Sequence, residues 1–361
     1  MQEQTIQFPG SKPHYETLDG LRGMAAISIV VFHFFEFIFP DYKDSPLGHG
    51  YLAVDFFFLL SGFVIGYAYD SRMQTMGMGS FFRNRLIRLH PMVIFGTVLG
   101  LIEYIITPFN NSVQSAGWGN IFLSFVCHLL LVPLAILPNR GDGVFPLNSP
   151  SWSLSTEYIA NIFYALVLSR VSRKILILLL AASGVWLVYV ARQRGWLIMG
   201  WEGKFYFDGW ARTAFSFTAG LAIYRFNLVI KNNINIILLL LLLVGIFMFP
   251  HFDNDWLAES LLVMVACPLI IALAAGSNIS GRLKNFCVFT GRLSYPLYMT
   301  HICIVWSFGN YYMAYKPQGL QLWLIVLALL AVIFVIAYVV MRFYDEPFRK
   351  YLVNKWVRKQ P

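Results

Sequence analysis

Charge is what this sequence lacks. Asp, Glu, Lys and Arg make up 12% of its 361 residues, about half the share of an ordinary soluble chain. That excludes a solvated globular enzyme and a charge-rich disordered chain alike. Cysteine is scarce too. Cys127, Cys267, Cys287 and Cys303 lie in or beside apolar runs with no CxxC or CxxxC spacing. They read as packing residues, so neither a disulfide framework nor a metal site is expected. A P-loop, a Rossmann glycine pattern, HExxH and GxSxG are all missing, which leaves nucleotide hydrolysis, zinc proteolysis and α/β-hydrolase chemistry without support. No repeat or low-complexity stretch stands out except the Leu run at 238–243.

Apolar residues fill the space, at 58%, with a mean hydropathy of +0.63. Aromatics reach 17%, a share that suits lipid-facing and interfacial surface. The expected fold is all-α, a polytopic membrane helix bundle. The net charge of +9 sits in short segments between apolar runs. The positive-inside rule accounts for it without nucleic acid as a partner, and membrane lipids are the expected surroundings.

Runs long enough to cross a bilayer, about 20 residues, fall near 23–40, 51–70, 91–108, 119–138, 152–169, 174–191, 209–230, 234–250, 257–275, 294–313 and 320–342. Basic loops at 83–88, 169–174, 225–232 and 281–285, with the C-terminal tail, mark the cytoplasmic side. Tracing from both ends leaves 119–138, with His128, Pro133 and Pro138, as a segment that must enter and leave on one side. The expectation is about ten crossings plus one re-entrant or interfacial segment at 119–138, with both termini cytoplasmic. Residues 1–16 form a polar tail without a cleavable signal pattern, 17–343 the membrane domain, and 344–361 a basic tail.

The first run, LDGLRGMAAISIVVFHFFEFIFP, carries Asp19, Arg22, His33 and Glu36. At 3.6 residues per turn all four share one helical face, and Arg22 lies about 16 Å from His33 along the axis. A stripe of ionisable groups at membrane depth must face protein or water. It either locks the bundle through hydrogen bonds or forms a buried site in which His33 exchanges protons. Glu36 and Glu157 are both candidates to hold the imidazole. Asp55 sits a turn inside the second run, and a carboxylate there is functional by default. The pair Ser61-Gly62 fits close packing and ligand approach equally. Arg83, Arg85 and Arg88 suit phosphates, anionic head groups or simple charge sorting. Glu157 follows Trp152 in SWSLSTEYIANIFY, and His301 is a lone intramembrane histidine.

Taken together these motifs resemble the integral-membrane acyltransferases of the acyltransferase-3 type, over nearly the whole chain and in the family's order. The stretches are LDGLRGMAAISIVVFHF, VDFFFLLSGFVI, FFRNRLIRLHP, SWSLSTEYIANIFY, LSYPLYMTH and YDEPFRKYL. The resemblance implies an O-acyltransferase of a bacterial cytoplasmic membrane. It would move an acyl group, most simply acetyl, from acyl-CoA to a hydroxyl of a carbohydrate or glycolipid acceptor. It implies His33 as general base with Glu157 or Asp55 assisting, and Arg22, Arg83, Arg85 and Arg88 as donor-binding residues. Trp152, Tyr295 and His301, with Glu36 from outside the motif, become the acceptor-side candidates. The rival expectation is a proton-coupled transporter or flippase, since buried histidine and carboxylates also build proton relays.

Overall fold

A computed structural model describes residues 14–109 and 111–357. The expected tail at 1–16 lies outside them except for its last three residues, as do the last four residues of the tail at 344–361. Among the described residues the chain is all-helical. Its one extended pairing is an isolated bridge between Gly143 and Glu202. The main helices are α1 (Glu16–Ile38), α2 (Ala53–Tyr69), α3 (Met78–Ile106), α4 (Trp118–Leu129), α5 (Ser151–Phe163) and α6 (Arg173–Arg194). They continue with α7 (Asp208–Arg225), α8 (Ile236–Phe247), α9 (Asp255–Gly276), α10 (Gly281–Tyr315), α11 (Gly319–Val340) and α12 (Glu346–Trp356).

Six helical stretches are long and apolar enough to cross a membrane: Glu16–Ile38, Gly50–Tyr69, Met78–Ile106, Arg173–Arg194, Asp255–Gly276 and Gly319–Trp356. The remaining expected crossings coincide with helices α5, α7, α8 and α10. In the region 119–138, helix α4 has 12 residues, as α8 does, and rises only about 18 Å, short of a hydrocarbon core of about 30 Å; what sets this region apart is its exit. The chain then leaves the helix at Leu131, whose φ of 54° lies in the left-handed region, rarely adopted by a bulky residue.

Local chemistry explains several boundaries. Ser172 accepts the Ile175 N–H at the start of α6, and Gly195, at φ 86°, ends it. Asn235 accepts the Ile237 N–H to open α8. The arginine segment at 83–88 is not a loop. It is helical, inside α3, and the basic segment at 281–285 is the first turn of α10. Arginine and lysine are good helix formers, so nothing in these segments stops an adjoining helix from running through them.

Two parallel helix pairs position the site. In the first, α1 lies against α10 with backbones close. A Cβ on Gly23 would fall 2.4 Å from the Thr290 side chain, and one on Gly291 would fall 2.4 Å from Asp19. Small residues at such crossings let membrane helices approach. In the second, α2 and α7 are pinned at both ends by ion pairs, Asp55–Arg212 and Asp70–Arg225. Between them Gly62 sits against the Phe217 carbonyl, so the Ser61-Gly62 pair serves close packing.

Candidate active site

The stripe on α1 resolves into two i,i+3 pairs. Arg22 Nη1 donates to Asp19 Oδ1 at 3.0 Å. Just over three turns on from Arg22, His33 Nδ1 meets Glu36 Oε2, while the Tyr42 hydroxyl donates to Glu36 Oε1 at 3.0 Å. Glu36, not Glu157 or Asp55, is therefore the carboxylate that holds the His33 ring. With Nδ1 engaged, His33 Nε2 is the nitrogen left for a substrate proton.

His301 comes from α10 and stacks on His33, ring centroids 5.3 Å apart and planes 24° apart. Its Nδ1 lies 3.1 Å from the Leu297 carbonyl, an acceptor, which places the ring proton there. The Nε2 atom is buried without a partner among the described residues. The α1–α10 contact thus brings together two histidines 268 positions apart in the chain.

His33 and Glu36 open onto a cavity of about 290 Å³ whose walls carry Phe32, Tyr42, Trp152, Trp201, Tyr298 and Trp306. A second hollow of about 390 Å³ shares Tyr42, Met199 and Trp201 with it and adds Arg194 and Glu202. Burial in the loop holds the Glu202 carboxyl above its ordinary pKa, with Asp142 adding to the effect. An apolar pocket with a few convergent polar groups is the usual form of a small-molecule site. Trp152 lines the cavity as expected for an acceptor-side residue, but Tyr295 does not. Its hydroxyl donates to the Leu89 carbonyl at 2.6 Å and braces α10 to α3. Tyr298, one turn later, lines the cavity in its place and bonds Ser153 at 2.8 Å.

Asp55 and Glu157 are committed elsewhere. Asp55 is fully buried and receives the Arg212 guanidinium, Nη2 at 2.5 Å from Oδ2. Arg212 also donates to the Met199 and Tyr51 carbonyls at 2.9 Å, leaving Asp55 no free path to His33. Glu157 accepts Arg85 Nη2 at 2.8 Å and the Ser61 hydroxyl at 2.6 Å. Both carboxylates brace helices where sequence alone suggests proton chemistry. The residue missed was Arg212. An arginine near the start of the run 209–230 was a visible signal of an intramembrane partner for a carboxylate.

Of the four expected donor-binding arginines, three gather near one end of the bundle. Arg88 lies close enough to Arg85, Arg22 and Arg349 for their charges to act on it. Arg22 is paired with Asp19, Arg85 with Glu157, and Arg349 with Asp345 at 2.7 Å. Arg88 is exposed and has no hydrogen-bond or ion-pair partner among the described residues. Arg83 instead reaches Ser80 at 3.4 Å. A guanidinium without a direct ion pair, set among other arginines, suits a phosphate or another anion.

A family model described as an acyltransferase domain matches residues 15–342. Protein 2 in the picA locus of Rhizobium radiobacter is 34% identical over 185 residues, 49% of this chain and 94% of that protein. Acyltransferase MdmB of Streptomyces mycarofaciens is 32% identical over 148 residues, 39% of this chain and 36% of that protein. O-acetyltransferase OatA of Staphylococcus aureus is 37% identical over 81 residues, 22% of this chain and 12% of that protein. No solved structure matches.

Proposed function

The chain belongs to the acyltransferase domain family and is a membrane acyltransferase, and on that premise we propose that it transfers an acyl group, acetyl by preference, from acyl-CoA to a hydroxyl of a carbohydrate or cell-envelope glycan. The observation that carries the reading is His33, its Nδ1 held by Glu36, opening on a cavity walled by Trp152, Trp201 and Trp306. Aromatic faces suit the C–H faces of a sugar ring, and His33 Nε2 suits its hydroxyl. The name of the Staphylococcus aureus relative, an O-acetyltransferase, supports the choice of group and atom.

In the proposed step the acceptor O–H gives its proton to His33 Nε2 as the oxygen attacks the thioester carbonyl. Glu36 stabilises the imidazolium that forms. Collapse of the tetrahedral adduct breaks the C–S bond, and the departing thiolate takes the proton back from His33. One acyl group moves and the base is regenerated. The donor phosphates would lie at Arg88, with Arg22 and Arg85 beside it, about 16 Å down α1 from the base. The same reading carries the topology: ten crossings, the segment 119–138 returning to its own side, and both termini with the arginine end in the cytoplasm. Residues 17–343 form the acyltransferase body, flanked by polar ends at 1–16 and 344–361, in a bacterial cytoplasmic membrane.

The test is release of radiolabelled acetate from acetyl-CoA by purified protein in detergent, with and without oligosaccharide acceptors. Wild type should turn over, and His33→Gln should lose roughly 10²–10⁴-fold, the usual worth of a general base. Full turnover by a correctly folded His33→Gln protein would refute the assignment.

A further inference from the structure

Away from the cavity floor, two loops meet in a second cluster that the acyl-transfer chemistry does not use. His49 lies between α1 and α2, His251 between α8 and α9, and Asp255 and Glu259 open α9. The two imidazoles stack with centroids 4.0 Å apart and planes 28° apart. His49 Nδ1 lies 3.2 Å from Glu259 Oε1, and His251 Nδ1 lies 2.7 Å from Asp255 Oδ2. Both Nε2 atoms are buried and without a hydrogen-bond partner among the described residues. His49 and Glu259 are 0% exposed.

We propose that His49, His251 and Asp255 form a zinc site that staples these two loops together. Three observations support it independently of the acyl-transfer reading. The first is the pattern of bonds: His49 has one ring nitrogen turned to Glu259 and the other left bare, while His251 Nδ1 and Asp255 Oδ2 face each other as two ligands of one ion would. Metal-ligating histidines are held as His49 is, because a carboxylate on one nitrogen fixes the tautomer and directs the lone pair of the other. The second is anchoring. Glu259 is fixed by the Leu197 N–H and the Tyr51 hydroxyl, and Asp255 by the Phe252 N–H, so both carboxylates are held in place beside the two rings.

The third is proximity. His49, His251 and Asp255 each offer a ligand atom, and those atoms lie within 4.8 Å of one another. Tetrahedral zinc with bonds near 2.0–2.1 Å needs ligands about 3.3 Å apart. Small side-chain rotations cover the difference, and the carboxylate keeps lone pairs beyond those it gives to Phe252 and His251. Two imidazoles and a carboxylate form a donor set that suits zinc rather than calcium or magnesium. The staple would also bear on the cavity. Tyr42 and Tyr51 line it from the loop that His49 anchors, Tyr42 bonds Glu36, and Tyr51 donates to Glu259 at 2.5 Å.

The test uses the full chain, purified without a histidine tag. Elemental analysis should find stoichiometric zinc. Chelation should lower the melting temperature in detergent, and added zinc should restore it. Cobalt in place of zinc should give the visible absorption of a four-coordinate ion. His251→Ala should lose the metal, and Asp255→Asn, which keeps an oxygen for Phe252, should weaken zinc binding at least about tenfold. Wild-type protein without zinc, whose melting temperature ignores both chelator and zinc, would overturn the proposal. Undiminished zinc in a folded His251→Ala protein would do the same. Should His251→Ala fail to fold, the wild-type chelation and cobalt measurements decide alone.

Discussion

Replacing Arg212 by methionine removes the only guanidinium that faces Asp55 among the described residues and leaves a carboxylate at 0% exposure. Arg212 donates through Nε and Nη2 to both Asp55 oxygens, and through Nη1 and Nη2 to the Met199 and Tyr51 carbonyls. Unit charges about 4 Å apart interact by about 4 kcal/mol at an effective dielectric near 20. Breaking a buried pair from one side costs about 3–5 kcal/mol in measured cases, so the two routes agree. The double variant Asp55→Leu/Arg212→Met strands no charge. It should recover most of that loss, less about 1–3 kcal/mol for each carbonyl left without its donor. Unfolding by SDS in mixed micelles, followed by tryptophan fluorescence, gives both numbers. A single variant within about 1 kcal/mol of wild type, or a double variant less stable than the single, would refute the argument that Asp55 serves structure.

Four further outcomes are expected. Glu36→Gln should lower kcat by about 10²-fold with little change in acceptor KM, because it loosens the base and stops stabilising its cation; unchanged kcat would remove Glu36 from the mechanism. Arg88→Ala should raise the KM for acyl-CoA well above any change in acceptor KM, and equal changes would argue against phosphate binding there. Gly220→Ala would set a Cβ 1.8 Å from the Leu59 carbonyl and should cost about 1–3 kcal/mol in the same SDS assay, as overpacking does; a neutral result would mean that α2 and α7 separate freely. His14, outside the spans, has its pKa raised from 6.5 by its bond to Asp19. Its folded pKa exceeds the unfolded one, so its stabilisation is full below the unfolded value and fades as pH rises through the folded one. The melting deficit of His14→Ala should therefore be larger near about pH 5.5 than near about pH 9, and the reverse order would contradict that bond.

Much of the helical layout was legible because apolar runs of crossing length announce themselves. Where helices begin was less so. The arginines at 83–88 read as a loop by charge, yet they lie inside α3. The histidine on α1 was legible as a site residue, since a titratable group deep in a span calls for an explanation. Its partner was half legible. Position on the helix offered both Glu36 and Glu157, and the resemblance favoured Glu157 or Asp55 until the fold placed Glu157 on Arg85 and Ser61 and Glu36 on His33. Asp55 could not be assigned from its own neighbourhood, because its partner is 157 positions away. A separation of 202 positions likewise hid His251 from His49. Local spacing carries information about one helix face, whereas ion pairs and ligand sets close only when separate helices meet.

Because α1 is one unbroken helix from Arg22 to His33, and is seated along α10 by Gly23 and Gly291, the separation of these two side chains behaves as a gauge. One turn of sliding, about 5.4 Å, would drive Cβ atoms into backbone and pull His33 off His301. The interval is therefore set by the helix rather than by whichever donor arrives. Under the proposed transfer, the gauge would set the reach between a donor's charged end and its carbonyl, and the tail beyond the carbonyl would meet only the cavity walls. Tolerance toward different acyl chains and intolerance toward a shortened donor arm would then coexist in one enzyme.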